Sequence, residues 1–367
     1  MKLSRMKMTS QGVLIMAGGT GGHIFPGLAV ADVLRQRGIP VRWLGAQGGM
    51  ETRKVPEAGI ALDVVAISGL RGKGLLGWIR MPLLLLRAVW QARRLLEANR
   101  PGCAVSFGGY VAAPGGIAAW TKGIPVLVHE QNRIPGLTNR LLTRFARKIL
   151  QGFPGTFPDK LNAEDCGNPV RRELAAIPEP RIRLNGRTGP VRLLITGGSQ
   201  GAQVLNKVIP AALAQLAADI KIEIRHQAGS RGLDEASEAY ASAGVTAVVE
   251  PFINDMAEAY GWADLVICRS GALTVAELAA VGLGSVLVPF AQAVDDHQTR
   301  NAEYLSSAGA AIILPQASLD ATTVATALMP LVSDRSRLLT MAVSARDLAM
   351  PDAAEKVVDA CTEWLAS

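Results

Sequence analysis

The amino-acid sequence predicts an α/β protein of two units, each built on a parallel sheet with helices on both faces. The length of 367 residues favours two domains. Short apolar runs alternate with longer helical patterns, which is typical of parallel sheets. This alternation stops near residue 167 and starts again near 190. We therefore expect a first unit over 1–168, a second over 169–350, and a C-terminal helix, 351–367, that packs back on the first unit.

The first unit is predicted to contain six strands and four helices. Its strand candidates are the apolar runs Val13–Ala17, Val41–Leu44, Leu62–Val65, Ala104–Phe107, Val126–His129 and Lys148–Gln151. Helical patterns lie between them, near residues 26–37, 77–98, 111–121 and 136–146.

The second unit repeats the same alternation after a segment rich in proline and glycine, Gly167–Pro190, which reads as an interdomain linker. Its strand candidates are Arg192–Thr196, Lys221–Arg225, Ala247–Glu250, Leu265–Cys268, Val286–Pro289 and Ala311–Leu314. Its helices are expected near 201–217, 233–243, 254–261, 274–282, 298–308 and 322–332, and two further helices follow near 335–347 and 354–366.

Composition excludes several protein classes. A hydrophobic fraction of 49% supplies enough apolar material for two cores and excludes disorder. The four cysteines are widely spread with no C-x-x-C pair, so neither a zinc site nor a disulfide framework is expected, and a reducing cytoplasm is indicated. The apolar run that follows the basic N-terminus is too short for a secretion signal, and no transmembrane helix is expected.

Charge is distributed unevenly along the chain. Residues 1–168 carry 22 Lys and Arg against 9 Asp and Glu, a net charge of +13, whereas 169–367 carry 16 against 22, a net charge of −6. Two basic stretches lack acids, and the first interleaves arginine with Trp and Leu, which fits a surface that lies on an anionic bilayer. A core helix with a solvated basic face is the alternative. Nucleic acid ranks lower, because no RNA- or DNA-binding motif is present. The membrane candidates are Leu75, Leu76, Trp78, Ile79, Arg80, Leu84, Arg87, Arg140 and Arg144.

Both units begin with a strand, a glycine-rich turn and a helix. The turns are Gly18–Gly22 and Gly197–Gly201, and a third glycine pair lies at Gly108–Gly109. Such turns let backbone N–H groups approach a phosphate, and in these sheets ligands bind beyond the carboxyl ends of the strands. The dinucleotide fingerprint fails because residue 24 is Ile, and the phosphate loop of ATPases fails because Gly74 follows Lys73.

Polar residues cluster at the predicted strand ends. His23 follows the first turn, and Glu130 and Asn132 follow the fifth strand. A lone histidine is more often structural, but His23 beside a phosphate turn is a candidate general base. Asp295 and Asp296 are weaker candidates, because either one could merely cap the following helix.

Seven segments in this order resemble the MurG family, the bacterial transferases that add GlcNAc to lipid I during peptidoglycan synthesis. They are Gly18–His23, Phe107–Tyr110, His129–Asn132, Gly167–Arg171, Gly197–Ala202, Arg269–Glu277 and Asp295–Gln298. The resemblance implies a GT-B fold, two Rossmann-like domains that face a deep cleft. It implies UDP-GlcNAc as donor, lipid I as acceptor, and transfer with inversion, without a metal or other cofactor. It places the protein peripherally on the cytoplasmic face of the bacterial inner membrane, with other cell-wall synthesis proteins as further partners.

The resemblance also carries roles to individual residues. His23 is the first candidate for the base and Glu130 the second. The residues implied in UDP-GlcNAc binding are Thr20, Gly21, Gly22, Asn132, Arg171, Ser199, Ile253, Ala272, Leu273, Thr274, Val275, Ala276, Glu277 and Gln298. Those implied in acceptor pyrophosphate binding are Gly18, Gly19, Gly108, Gly109 and Tyr110.

Two other functions fit parts of the same sequence. Another GT-B enzyme, such as a UDP-GlcNAc 2-epimerase, would share the fold, but its small soluble substrate gives no use to a basic apolar surface. A noncatalytic scaffold recruited to the membrane would bind UDP-GlcNAc without turnover. Transfer of GlcNAc to a lipid I analogue distinguishes all three.

Overall fold

A computed structural model describes residues 11–67, 75–198, 201–216, 220–290 and 296–365, except for the side chains of residues 75–81. The chain divides into two compact units of similar size. Unit 1 comprises Met1–Pro169 together with Asp352–Ser367, and unit 2 comprises Val170–Pro351.

Unit 1 contains a seven-stranded sheet in which every strand pair is parallel. Its strands are β1 (Val13–Ala17), β2 (Val41–Ala46), β3 (Ala61–Val65), β4 (Cys103–Gly108), β5 (Val126–Glu130), β6 (Lys148–Gln151) and β7 (Glu164–Asp165). The helices that connect them are α1 (Gly21–Gln36), α2 (Glu51–Glu57), α3 (Leu75–Asn99), α4 (Ala112–Thr121) and α5 (Leu137–Leu142). The spatial order β3-β2-β1-β4-β5-β6-β7 reverses direction between β1 and β4. Ligands of doubly wound sheets bind at this reversal, beyond the carboxyl ends of the two strands.

Unit 2 repeats this topology in a six-stranded parallel sheet. Its strands are β8 (Val191–Thr196), β9 (Ile222–Gln227), β10 (Val248–Glu250), β11 (Leu265–Cys268), β12 (Ser285–Leu287) and β13 (Ala311–Ile313). Its helices are α6 (Arg172–Ala175), α7 (Pro180–Arg183), α8 (Gln203–Leu213), α9 (Leu233–Ser242), α10 (Met256–Trp262), α11 (Ala272–Val281), α12 (His297–Ser306), α13 (Ala321–Val332) and α14 (Arg335–Asp347), and the last helix, α15 (Ala353–Thr362), returns to unit 1. The order β10-β9-β8-β11-β12-β13 reverses between β8 and β11.

Strand β1 shows how the sheet of unit 1 is buried on both faces. Val13 and Ile15 pack on one side with residues of α1 and α15, whereas Leu14 and Met16 pack on the other with residues of α3, α4 and α5. Successive side chains of a strand point to opposite faces, so a strand covered on both faces must be apolar throughout. This is why β1 appears in the sequence as an unbroken apolar run.

The predicted fold class, a GT-B pair of parallel-sheet units, is confirmed, and the differences are local. Helix α1 begins at Gly21, five residues before the predicted start. The prediction missed its first turns because glycine and proline, here Gly21, Gly22 and Pro26, have low helix propensity. Helix α2 and strand β7 were not predicted. The segment over 167–190 contains α6 and α7, and from Val170 onward it belongs to unit 2.

Arginine side chains hold this segment on unit 2. Arg183 Nη2 donates to Gly282 O at 2.6 Å, and Arg187 Nη1 donates to the buried Asp264 carboxylate at 2.6 Å.

All four cysteines are free and buried. Among the described residues, no helix has the length and apolar character needed to cross a membrane.

Candidate active site

The first glycine turn connects β1 to α1 at the strand-order reversal of unit 1. Gly19 has a φ of +94°, which favours glycine, and Thr20 occupies the extended N-cap position of α1. The Thr20 side chain makes no capping hydrogen bond, and the first turn of α1 holds no acid. A helix N-terminus of this kind favours an anion, so Thr20, Gly21 and Gly22 lie where a phosphate would be stabilised.

The second glycine turn follows β4 and touches the first. Gly108 and Gly109 have φ values of +96° and +81°. A side chain at Gly109 would clash with the carbonyl of Gly18, and a Cβ at Gly19 would lie 3.5 Å from the Tyr110 ring. The five residues assigned to the acceptor pyrophosphate therefore lie together at one edge of the sheet.

His23 lies in the first turn of α1, half-buried against both glycine turns. Its Nδ1 is 3.2 Å from Gly18 O. Because a carbonyl only accepts, this contact assigns the ring proton to Nδ1 and the lone pair to Nε2. A Cβ at Gly108 would lie 3.3 Å from Nε2, so this nitrogen is directed towards the second turn. The ring has the tautomer that a general base acting through Nε2 requires.

Glu51 is a buried residue of this site that the sequence did not reveal. Its Oε2 accepts from Gly19 N at 3.2 Å and its Oε1 accepts from Ala46 N at 2.9 Å. The Gly19 amide is therefore bonded to a carboxylate, and the expected contact of Gly19 with the acceptor pyrophosphate stays a prediction. A single acid among glycines carries no recognisable motif, although the nearby Gly48–Gly49 pair is a signal of close packing.

Glu130, the second candidate base, is held by four donors. Its Oε1 accepts from the N–H and the Nδ2 group of Asn132 at 3.0 and 3.2 Å, and its Oε2 accepts from Gly136 N and Asn139 Nδ2 at 3.1 and 2.9 Å. The carboxylate is buried and positions the loop after β5, including Asn132. This geometry favours His23 over Glu130 as the base.

Asp296 and His129 also have structural partners. Asp296 stands at the N-cap of α12, where its carboxylate accepts from Thr299 Oγ1 at 2.6 Å, whereas Asp295 lies outside the described residues. His129 is fully buried, with Nε2 2.9 Å from Gly167 O. Burial lowers the pKa of His129 to about 4, so this ring stays neutral near pH 7.

In unit 2, the glycine turn Gly197–Gly201 follows β8, at the point where the strand order reverses. Gly198 and Gly201 have φ values of +81° and +74°, and Ser199 lies outside the described residues. Gln227 ties this turn to Ile253, since its Nε2 donates to Gly198 O at 2.9 Å and its Oε1 accepts from Ile253 N at 3.0 Å. A contact from the Ile253 backbone to a uracil ring would therefore have to use its carbonyl.

Helix α11 begins beside this turn with an uncapped N-terminus. Gly271 is its extended N-cap, and neither a capping side chain nor an acid occupies the first turn, which starts at Ala272, Leu273 and Thr274. Val275, which is also implied in donor binding, has a fully buried side chain, and its amide donates to Gly271 O at 3.0 Å. Half-buried Ala276 follows it. The anion-favouring end of α11 is thus formed by residues 272–274.

Glu277, further along α11, joins Arg171 and Tyr260. Its Oε1 lies 3.6 Å from Arg171 Nη2, and its Oε2 accepts from the Tyr260 hydroxyl at 3.3 Å. Burial raises the pKa of the Glu277 carboxyl, and Arg171 and Tyr260 act in the opposite direction. Arg171 also borders a cavity of about 290 Å³ that is lined by Leu174, Asn254 and Met256.

Gln298 is fixed at the start of α12. Its Oε1 accepts from Phe290 N at 2.9 Å, and its backbone carbonyl accepts from Ser270 Oγ at 2.8 Å. Ser270 lies between the end of β11 at Cys268 and the start of α11 at Ala272, so Gln298 lies beside the N-terminus of α11. Its Nε2 group is the part of the amide that can donate to a sugar hydroxyl. Among the described residues, no three His, Cys, Asp or Glu side chains are grouped as a metal would require.

Exposed apolar and basic side chains occur on the helices that cover one face of the unit 1 sheet. On α3, Leu83 is 71% exposed, Leu86 65% and Trp90 52%, and the Arg94 guanidinium lies 3.5 Å from the Trp90 ring centroid. Leu137 on α5 is 81% exposed. The predicted membrane residues Leu84, Arg87, Arg140 and Arg144 are also exposed, whereas the side chains of Leu75, Leu76, Trp78, Ile79 and Arg80 lie outside the described residues. We call Leu83, Leu84, Leu86, Arg87, Trp90, Arg94, Leu137, Arg140 and Arg144 the basic apolar surface.

Comparison with known proteins agrees with this arrangement. Residues 13–151 match the glycosyltransferase family 28 N-terminal domain, and residues 192–357 match the C-terminal domain of the same family. The chain is 59% identical over 347 residues, 95% of its length and 80% of the relative's, to the UDP-N-acetylglucosamine–N-acetylmuramyl-(pentapeptide) pyrophosphoryl-undecaprenol N-acetylglucosamine transferase of Xanthomonas axonopodis pv. citri. It is 55% identical to the transferase of the same name from Marinobacter nauticus, over 95% of this chain and 96% of that one.

Solved structures show the same similarity. The chain superposes on the crystal structure of MurG from Acinetobacter baumannii with a TM-score of 0.84, over 96% of this chain and 99% of that one, and the two sequences are 41% identical. A UDP-GlcNAc 2-epimerase from Neisseria meningitidis is 12% identical, with a TM-score of 0.67 over 96% of this chain and 100% of that one. At so low an identity the second match shows a shared fold only.

Proposed function

The chain belongs to glycosyltransferase family 28, and from this premise we propose that it transfers GlcNAc from UDP-GlcNAc to lipid I. The product is lipid II, a precursor of peptidoglycan, made with inversion to a β-1,4 linkage. The enzyme class, a UDP-GlcNAc-dependent hexosyltransferase, follows from the family and from relatives that are named as N-acetylglucosamine transferases using UDP-N-acetylglucosamine.

One observation supports this function above the others. The chain is 59% identical, over 95% of its length, to a relative that is named as the UDP-N-acetylglucosamine–N-acetylmuramyl-(pentapeptide) pyrophosphoryl-undecaprenol N-acetylglucosamine transferase. The glycine turns of the two strand-order reversals lie within residues 13–151 and 192–357, which match the two domains of family 28.

Unit 2 is proposed to bind the donor. UDP leaves readily only if the charge that develops on its diphosphate is stabilised, and the N-terminus of α11 with the Arg171 guanidinium supplies fixed positive charge. Glu277, accepting from ribose hydroxyls, fixes the nucleoside. Gln298 donates to the sugar, and the Ile253 carbonyl contacts the base.

Unit 1 is proposed to bind the acceptor and remove its proton. The N-terminus of α1, at Thr20, Gly21 and Gly22, stabilises phosphate charge. His23 Nε2 accepts the proton of the attacking sugar hydroxyl as its oxygen bonds to C1 of GlcNAc and UDP departs. Attack opposite to the leaving group inverts the anomeric carbon. Gly108, Gly109 and Tyr110 border the same space.

The basic apolar surface supports the proposal that the protein binds the surface of a membrane. Arginine beside exposed Leu and Trp gives both charge attraction to anionic lipid and burial of apolar area. We therefore place the protein peripherally on the cytoplasmic face of the inner membrane, where lipid I would be its acceptor. Other cell-wall synthesis proteins are further proposed partners.

The first experiment is transfer of labelled GlcNAc from UDP-GlcNAc to a short-chain lipid I analogue, with EDTA present. A β-1,4-linked product is expected, and its formation in EDTA would show that no divalent metal is required. Bound but intact UDP-GlcNAc would indicate the scaffold, whereas UDP-ManNAc would indicate an epimerase. Either of these outcomes would overturn the proposal.

A further inference from the structure

The peptide group between Gly18 and Gly19 is hydrogen-bonded on both sides. Its carbonyl accepts from His23 Nδ1 at 3.2 Å, and its N–H donates to Glu51 Oε2 at 3.2 Å. This carbonyl and this N–H belong to one planar, conjugated unit. The imidazole of His23 is therefore connected to a carboxylate across a single peptide bond.

The Glu51 carboxylate is itself firmly held. Its second oxygen accepts from Ala46 N at 2.9 Å, at the end of β2, and the side chain is fully buried. Both oxygens thus accept from backbone amides, the pattern expected of an ionised, acceptor-only carboxylate. A buried charge is tolerated only where such hydrogen bonds replace water.

Three glycines make room for this carboxylate. A Cβ at Gly18 or at Gly49 would clash with the carboxyl group, and a Cβ at Gly45 would lie 2.7 Å from Glu51 Cγ. Side chains at these positions would displace Glu51 from the Gly19 amide. The glycines around Glu51 therefore shape a site for its carboxyl group as well as a phosphate turn.

We propose that Glu51 is a positioning residue for His23. Acting through the Gly18–Gly19 peptide, it polarises the Gly18 carbonyl, which fixes the Nδ1–H tautomer and stabilises the imidazolium that forms when Nε2 accepts a proton. The proton stays on the ring, and none passes to Glu51. A buried aspartate orients the catalytic histidine of serine proteases in the same sense, but there the contact is direct. The inference rests on the proposed function for the role of His23 as base.

Two other ionisable groups, Tyr110 and Glu130, lie near this turn. Tyr110, after β4, faces Gly19, and burial, together with the nearby Glu51, raises the pKa of its phenol. Glu130 lies behind Asn139, whose Nδ2 donates to it at 2.9 Å and would be 3.5 Å from a Cβ at Gly108. In the described contacts, Glu51 is the carboxylate that reaches His23 through one intervening group.

The first test is the pH dependence of kcat for Glu51→Gln. We expect kcat to fall about tenfold while KM for UDP-GlcNAc changes less than about twofold, since unit 2 is untouched. The acidic limb of the profile should move to lower pH, because an imidazolium without a carboxylate behind it loses its proton more readily. Glu57→Gln is the matched control: Glu57 is an exposed residue of α2, paired with Lys54 at 2.8 Å, and its loss should change neither quantity.

The second test needs no acceptor. Nitrogen-15 NMR of labelled histidine, assigned with His23→Ala, should show the Nδ1–H tautomer of His23 and a titration midpoint that is lower in Glu51→Gln. If Glu51→Gln does not fold, Gly49→Ala moves the carboxylate but keeps its charge, and should shift the midpoint in the same direction by less. An unchanged midpoint and tautomer in a folded variant would overturn the inference. If the shift occurs but the wild-type protein transfers nothing to lipid I, the proposed function fails, and Glu51 keeps its effect on the tautomer and titration of His23 without a catalytic role.

Discussion

Arg171 Nη2 lies 3.6 Å from Glu277 Oε1, so the segment that begins unit 2 is joined to α11 by an ion pair. The Arg171 side chain is 47% exposed, and a pair with so much water around it contributes little to stability. Its proposed role is in the site, where it orients the Glu277 carboxylate and presents guanidinium N–H groups to the donor diphosphate.

Arg171→Ala should raise KM for UDP-GlcNAc about tenfold or more, because a charge-assisted contact to the diphosphate is lost. It should also raise the pKa of Glu277 further, since Arg171 now opposes the effect of burial. The increase in KM should therefore grow as the pH falls. Steady-state kinetics between pH 5.5 and pH 8 would measure both effects, with exposed Arg181→Ala as the control; a KM that stays at the wild-type value would contradict the donor role.

His23→Ala should lower kcat by about 100-fold or more, the usual contribution of a general base, with little change in the affinity for UDP-GlcNAc. Asp32→Asn, on the exposed side of the same helix, should retain wild-type kcat. Single-turnover measurements separate the chemical step from product release. A near-normal rate in His23→Ala would remove His23 from the mechanism.

Glu130→Ala should destabilise unit 1 by about 3 kcal/mol, because four donors lose their shared acceptor in a buried position. The fraction that remains folded should keep the wild-type pH profile. Calorimetric melting and the kcat of the folded protein at low temperature would test this. A variant with normal stability but a rate lowered by 100-fold would instead identify Glu130 as the base.

Buried histidines should make both units sensitive to acid. Burial lowers the pKa of His226 in unit 2 to about 4, below the value near 6.5 of an unfolded chain. The folded state therefore binds fewer protons between these values, and its stability should fall by about 1.4 kcal/mol per pH unit as the pH decreases from about 6.5 to about 4.

His226→Asn, which keeps an acceptor for the Tyr240 hydroxyl, should flatten this dependence for unit 2. His129→Asn should do the same for unit 1, because burial also lowers the pKa of His129 to about 4. Urea unfolding at a series of pH values measures the slope. Equal slopes in variant and wild type would show that these rings do not control the acid response.

The basic apolar surface should control binding to lipid. Replacing Leu83, Leu86 and Trp90 with serine should weaken binding to anionic vesicles at least about tenfold, since these side chains are 71%, 65% and 52% exposed and available for insertion. Transfer to a water-soluble acceptor should be unaffected. Ile182→Ser is the control, because Ile182 is equally exposed, at 71%, but lies in unit 2. Vesicle sedimentation at low and high salt would test this.

The sequence predicts the sheets well because their strands are buried on both faces. Val13–Ala17, Lys148–Gln151 and Leu265–Cys268 have the same bounds in prediction and structure. The first and the last are short runs that are apolar throughout, as is typical of a covered parallel strand. The exposed two-residue strand β7 carries no such signal. It pairs only with β6, and its side chains are Glu164 and Asp165.

The site is less completely predictable, because hydrogen-bond partners depend on contacts between distant segments. The glycine turns and His23 are visible as a local motif, whereas Glu51 lies 32 residues from the Gly19 amide that it accepts from. The commitment of the Ile253 N–H to Gln227, 26 residues away, is hidden for the same reason. A resemblance identifies which residues matter, but the fold determines which of their atoms are already engaged.

The return of α15 to unit 1 affects the order in which the chain can fold during synthesis. Val357, Val358 and Cys361 of this helix are fully buried among residues of β1, α1 and β4. The unit that the ribosome begins first is thus completed last, after all of unit 2 has been made. Until then, the nascent chain carries an apolar groove beside α1 with nothing to fill it. In a fragment that stops near Pro169 this apolar groove would stay exposed, because α15 is missing. Such a fragment should therefore depend on chaperones or aggregate.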